Sequence, residues 1–317
     1  MTAGRRPEPA PDLAALLGQL MPSDRSEVTP EQQRAEYNGF VDMLRGPEVP
    51  FAGSVVDEQL PGAPGNPDIV VRRYVPATSP RPSDVLIYFH GGGWVLGNLD
   101  THDRFPRAIA QQLQLAVVSV EYRLAPENPF PAAFVDCSTV VDNLSRTASW
   151  VGLCGDSAGA NLAAAISARR AVDSTVPVDA QVLIYPGLSV PSEVPDRSLD
   201  GLGLDRSDID YFWSSYRGDS EPDARLAPLM HSDPIPAPPT LVTTAGCDPL
   251  RVDGVDYVAR LVDADVPVAY LPFPHLIHGW LELAEAIPSA SEARALLIEA
   301  IGDLRDSTIR RPADVQR

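Results

Sequence analysis

Lysine is absent from the 317 residues. All 25 basic residues are arginine, which excludes chemistry built on a lysine Schiff base. Cysteine is scarce: Cys137, Cys154 and Cys247 stand apart without a CxxC spacing, so neither a disulfide framework nor a thiolate zinc site is expected. No metal-ligand cluster or nucleotide motif occurs, so no cofactor and no metal are expected. No apolar run approaches a membrane span. Positive charge is in deficit, with 43 acidic residues giving a net charge of −18, a surface that would repel phosphate backbones and argues against a nucleic-acid partner. Near the N-terminus Arg5 and Arg6 precede "LAALLGQLM", but Glu8 and Asp12 intervene and no small-residue cleavage site follows. That stretch reads as an amphipathic helix rather than a signal peptide, and the expected setting is cytoplasmic.

What is present is alternation. "VVDEQL" and "IVVRRYV" alternate apolar and polar residues, as an antiparallel edge does. "VLIYF", "LAVVSVEY", "WVGLC", "AQVLIYP", "TLVTTAG" and "PVAYLPF" are more continuously apolar, which suits parallel strands buried on both faces. Helical patterns at Asp103–Leu113, Ala132–Leu144, Ala158–Arg170, Asp253–Val262 and Ser291–Leu304 separate or follow them. The expected class is therefore α/β, a mostly parallel sheet flanked by helices. Two segments stand outside that rhythm. Residues 1–50 hold short helices at Asp12–Met21 and Pro30–Leu44, and residues 188–227 hold only "DIDYFWSSY" among Pro-rich loops. An insertion of that length is commonly functional. Both segments are read as a cap over a catalytic unit formed by residues 51–187 and 228–317.

"YFHGGGWVLG" puts three glycines after an apolar run, a concentration of backbone freedom that a simple turn does not need. "GDSAG" supplies the reason. It follows the strand "WVGLC" and opens a helix, the setting in which G-x-S-x-G projects a nucleophilic serine, here Ser157, from a strained turn. A serine needs a base and the base an orienting carboxylate. Of five histidines, His90 is expected to brace the glycine loop, while His102 and His231 read as plain surface residues. His278, in "HGW" after the last strand, is the expected base, with His275 as the alternative. Asp248, at the end of "TLVTTAG", is the expected carboxylate, and its rival Asp253 would fall inside a helix. Attack on a carbonyl creates an oxyanion that needs preorganised N–H donors. Ala158, after the nucleophile, and Gly91 and Gly92 in the glycine loop are the expected donors.

The chain resembles the bacterial members of the hormone-sensitive lipase family of α/β hydrolases. "HGGGW", "YRLAPENPFPAA", "GDSAG", "DPLRVDG" and "HGW" carry the resemblance, in the family's order, from Ser83 to Trp280. It implies an α/β-hydrolase fold with an eight-stranded sheet, a helical cap, a Ser157–Asp248–His278 triad and hydrolysis of small-molecule carboxylic esters with short or bulky acyl groups. Departures, such as Ala160 for a second glycine, Glu121 for aspartate and Trp280 for phenylalanine, remove no catalytic group. Trp94, Phe212, Trp213 and Tyr216 are the candidate substrate contacts, unless those on the insertion form the core of the cap. Elimination, amide hydrolysis or natural-product tailoring would use the same site, and a non-catalytic receptor is the reading of a different class. Family members are often homodimers, and the terminal strand or last helix is available for such a contact.

Overall fold

The apolar runs become a single eight-stranded sheet in the computed structural model, which describes residues 7–17, 28–47, 50–173, 178–191 and 198–308. After α1 (Pro11–Leu17) and α2 (Pro30–Leu44) come β1 (Gly53–Leu60) and β2 (Ile69–Pro76), an antiparallel pair. Strand and helix then alternate through β3 (Asp84–Phe89), α3 (Arg104–Leu113), β4 (Ala116–Val120), α4 (Ala132–Leu144), β5 (Trp150–Asp156), α5 (Ala158–Val172) and β6 (Ala180–Ile184). A long connection carrying α6 (Arg206–Arg217) leads to β7 (Thr240–Cys247), α7 (Arg251–Asp263), β8 (Val268–Ile277) and α8 (Pro288–Thr308). The order across the sheet is β1-β2-β4-β3-β5-β6-β7-β8, antiparallel at β1/β2 and β2/β4 and parallel from β4 onward.

The central strands are buried on both faces, as continuous apolar runs require. In β3, Val85, Ile87 and Phe89 enter the core beneath α4, α5 and α7, whereas Leu86 and Tyr88 enter the core beneath α3 and α8. The sequence expectation fails at β8, which is an edge strand with only Leu276 and Ile277 buried. Its apolar composition hides that position, and its first eight residues are half-buried or exposed. β8 also runs past Phe273 and includes His275.

The helix expected over Asp12–Met21 is observed to Leu17, and the remainder lies outside the described residues. Thr29 starts α2 through a reciprocal capping box with Gln32, and Asp205 starts α6 through one with Asp208. No described helix is long and apolar enough to cross a membrane.

Candidate active site

β5 ends in a turn that ordinary residues avoid. Ser157 has φ 51° and ψ −115°, and its N–H is fixed by the carbonyl of Ile184 at 2.8 Å. The flanking glycines are a packing necessity: a Cβ on Gly155 would lie 2.3 Å from the backbone of Gly159, and one on Gly159 would lie 1.9 Å from the carbonyl oxygen of Phe89. Strand and helix therefore approach closely enough to raise the serine above the end of the sheet.

Two neighbouring strand ends bring the rest. Asp248 follows β7 and His278 follows β8. His278 Nε2 lies 2.8 Å from Ser157 Oγ, and its Nδ1 lies 2.8 Å from Asp248 Oδ2. A ring protonated at Nδ1 satisfies both contacts, donating to Asp248 and accepting from the serine hydroxyl. Asp248 is 1% exposed, and its other oxygen accepts from the N–H of Leu250. Burial opposes a charge on His278, yet the Asp248 carboxylate, with Asp156 and Glu282 behind it, holds the imidazole above its ordinary pKa. His275 points elsewhere, with its ring beside the carbonyl of Glu8. Asp253 lies in the first turn of α7, where its carboxylate accepts from Leu188 and Ser189.

The glycine loop corrects one expectation. The N–H of Gly91 donates to Asp156 Oδ1 at 2.9 Å and so is not free for a substrate oxygen. Gly92 and Gly93, with φ of 106° and 61°, line the cavity beside Ala158 and Ser157, and their N–H groups have no acceptor among the described residues. The available donors are thus shifted one residue along from Gly91 and Gly92. The sequence offered a sign of this in Asp156, an acceptor placed next to the nucleophile. His90 does brace the loop, with Nδ1 2.8 Å from the Gly91 carbonyl and its ring stacked on Tyr122 at 4.2 Å. Burial, together with nearby His102, pushes the His90 pKa down to about 3, which keeps that ring neutral.

A cavity of about 850 Å³ opens above Ser157. Gln33, Glu36, Tyr37 and Phe40 of α2 and Ile209, Phe212 and Trp213 of α6 form the side facing the sheet. Trp94, Phe212 and Trp213 line it as expected, but Tyr216 does not. Tyr216 is fully buried behind Trp94, stacked on its ring at 4.3 Å and met edge-on by Phe130 at 5.8 Å. Arg34 ties α2 to the glycine-loop side: its guanidinium donates to the carbonyls of Val95 and Ala125 and pairs with Glu127.

His102 is a second correction. It is 5% exposed rather than on the surface, with Nε2 3.1 Å from Glu282 Oε1 and 3.9 Å from Asp156 Oδ2. Burial opposes its charge, but the Glu282 hydrogen bond and the Asp156 field raise its pKa. Asp156 also accepts from Tyr88 OH, and its pKa is pushed up to about 6 by burial and by Glu282. His102, Asp156 and Glu282 are close enough to share a metal ion, and the bonds just described already account for them. His231 is a half-exposed loop residue, as its polar surroundings suggested.

A model of the alpha/beta hydrolase fold family matches residues 86–282, which include the glycine loop, Ser157, Asp248 and His278 but not the lining residues of α2. The carboxylesterase NlhH of Mycobacterium tuberculosis is 37% identical over 254 residues, covering 75% of this chain and 79% of that protein. The chain belongs to the hormone-sensitive lipase family of α/β hydrolases. Similarity to this family extends over nearly the whole chain. An ethyl acetate hydrolase of Pseudomonas putida is 30% identical over 318 residues, covering 92% of this chain and 98% of that one. Among solved structures, the hyperthermophilic esterase of the archaeon Pyrobaculum calidifontis superposes with a TM-score of 0.85 at 29% identity, covering 94% of this chain and 99% of that one. As in other α/β hydrolases, the residues able to react sit at strand ends, where loops can vary without disturbing the sheet. Sequence reasoning missed Gly93, Arg34, Tyr37, His102 and Glu282 at or beside this site, and Tyr185, whose ring meets that of His278 edge-on at 4.9 Å. Only Gly93 carried a local signal, as the third glycine of its run.

Proposed function

We propose that this member of the family is a serine carboxylesterase acting on small-molecule esters of short acyl chains. Ser157 Oγ attacks the ester carbonyl while His278 Nε2 takes its proton and Asp248 holds the imidazolium. Gly92, Gly93 and Ala158 donate to the oxyanion. The tetrahedral intermediate then collapses, His278 protonates the departing alcohol, and the acyl group stays on Ser157. Water, deprotonated by the same nitrogen, hydrolyses the acyl-enzyme. The observation that carries this reading is the continuous hydrogen-bonded line Ser157–His278–Asp248 beneath a cavity with unengaged N–H groups. The ethyl acetate hydrolase among its relatives supports the short acyl chain.

The segments 1–50 and 188–227 act as a cap on the catalytic unit in this reading, since α2 and α6 supply cavity-lining side chains. Trp94, Phe212 and Trp213 would touch substrate. A cytoplasmic setting fits the buried free thiols Cys137, Cys154 and Cys247, and a homodimer would use the exposed edge of β8.

A series of p-nitrophenyl esters from acetate to dodecanoate, with Ser157→Ala as control, tests the assignment. Turnover is expected to fall with chain length and to drop by more than about 10⁴-fold in the variant. A folded wild-type protein no faster than its variant on every ester would reject the esterase reading.

A further inference from the structure

The cavity has a charge that its chemistry does not require. Its lining includes the carboxylates of Glu36, Asp156, Asp205, Asp208, Asp253 and Glu282, and no arginine among the described residues. Two of them are bonded to neutral donors. Asp253 accepts from Leu188 N–H, Ser189 N–H and the Ser189 hydroxyl, and Asp205 accepts from Gly201 N–H. At the floor, His102 is a single imidazole facing both Asp156 and Glu282, so even when protonated it leaves a net negative charge there. Glu36 is exposed on α2, immediately before Tyr37 and one turn before Phe40, with no described partner. The same negative field contributes to raising the Tyr37 phenol, after burial, through Glu282 and Asp156.

Aromatic rings beside carboxylates form a surface suited to alkylammonium groups. The ring faces attract the cation through their quadrupole, and the carboxylates supply the opposite charge without stripping a small, strongly hydrated ion. Low-dielectric walls focus such a field inside a cleft. We propose that the cavity takes esters bearing an ammonium group, held by Glu36, Tyr37 and Phe40 of α2 together with Glu282, and that it rejects esters bearing a carboxylate. The proposal rests on the esterase reading and narrows it to a substrate class.

Three p-nitrophenyl esters of matched size separate the effects: 4-trimethylammoniobutanoate, its uncharged isostere 5,5-dimethylhexanoate, and the glutarate monoester. Affinity is measured in Ser157→Ala, where the esters persist, and kcat/KM in the wild-type protein. The cationic ester is expected to bind and react about tenfold better than the neutral one, and the anionic ester at least about tenfold worse. Glu36→Gln and Glu282→Gln are expected to shrink the cationic-to-neutral ratio. Equal or better handling of the neutral ester overturns the proposal while leaving the esterase intact. A cationic advantage that vanishes at about 0.5 M sodium chloride also overturns it, since only the long-range field of the acidic surface is fully screened there. If no ester is hydrolysed, the esterase reading fails, and the binding ratios in Ser157→Ala still decide the charge preference.

Discussion

The two sides of the cavity are held in place by different means. On the sheet side, the reactive groups hang from strand ends and are fixed by short hydrogen bonds: Ser157 by the Ile184 carbonyl, Asp248 by Leu250 N–H, His278 by Asp248 and the glycine loop by the Asp156 carboxylate. On the opposite side, the lining rings of α2 and α6 are carried on helices tied down by packing and a few long side chains, Arg34 above all. The first arrangement preorganises donors and acceptors for a developing charge, which is where electrostatic catalysis gains most. The second shapes the volume above them. Damage to the sheet side should therefore appear in kcat, and damage to the helix side in KM.

Asp248→Asn should break the sheet side most severely. The asparagine can fill the space, but it presents an N–H where the Nδ1 proton of His278 needs an acceptor, and the tautomer that serves Ser157 is lost. A fall of about 10³–10⁴-fold in kcat is expected, with KM nearly constant in steady-state assays. Gly93→Ala comes next. A Cβ there would lie 2.2 Å from the ring of Phe212, and φ is 61°, so both the loop and the helix side must move. Loss of one oxyanion donor is worth about 10²-fold or more in kcat, and an intact thermal transition would assign the loss to catalysis rather than folding.

The sheet side was legible in the sequence because its constraints are local. A serine on a strained turn needs small neighbours, an orienting acid follows a strand, and a base precedes a glycine, so "GDSAG", "CDPL" and "HGW" announce themselves within a few residues. The parallel core was legible for the same reason, through uninterrupted apolar runs. What escaped was set by distant partners. His102 sits in polar sequence, and it is buried beside Glu282, which lies far along the chain. The choice among three glycines depended on Asp156 capturing the first. Tyr216 and Phe212 lie one turn apart on the same helix, and the packing of Trp94 and Phe130 against Tyr216 keeps it from the cavity. The edge position of β8 likewise depends on what is not beside it.

Arg34→Ala sharpens the comparison from the helix side. The guanidinium satisfies the carbonyls of Val95 and Ala125 and pairs with a half-exposed Glu127, so its removal should cost roughly 1–2 kcal/mol in chemical denaturation. α2 carries Tyr37 and Phe40 into the cavity, so the accompanying effect is a rise of several-fold in KM with a smaller change in kcat. An unchanged KM with a collapsed kcat would mean that the two sides are not separable in this way.

The smallest effect tests where the sides meet. Glu282 lines the cavity, bonds His102 and contributes to the field that holds His278 above the ordinary imidazole value of 6.5. Burial pushes the same pKa down, and Asp248 supplies the largest upward contribution. Ester attack needs neutral His278, so kcat/KM should be lost as pH falls through that raised pKa, placing the acid limb of the profile above pH 6.5. Glu282→Gln keeps the shape and removes one negative charge, which makes the imidazolium easier to deprotonate. The acid limb should then move to lower pH, with the wild-type rate approached on the alkaline side when a neutral ester is used. A limb that moved upward would mean that freeing His102 from Glu282 lets its positive charge face Asp156 differently, and that the floor of the cavity is governed by His102 rather than by the carboxylates around it.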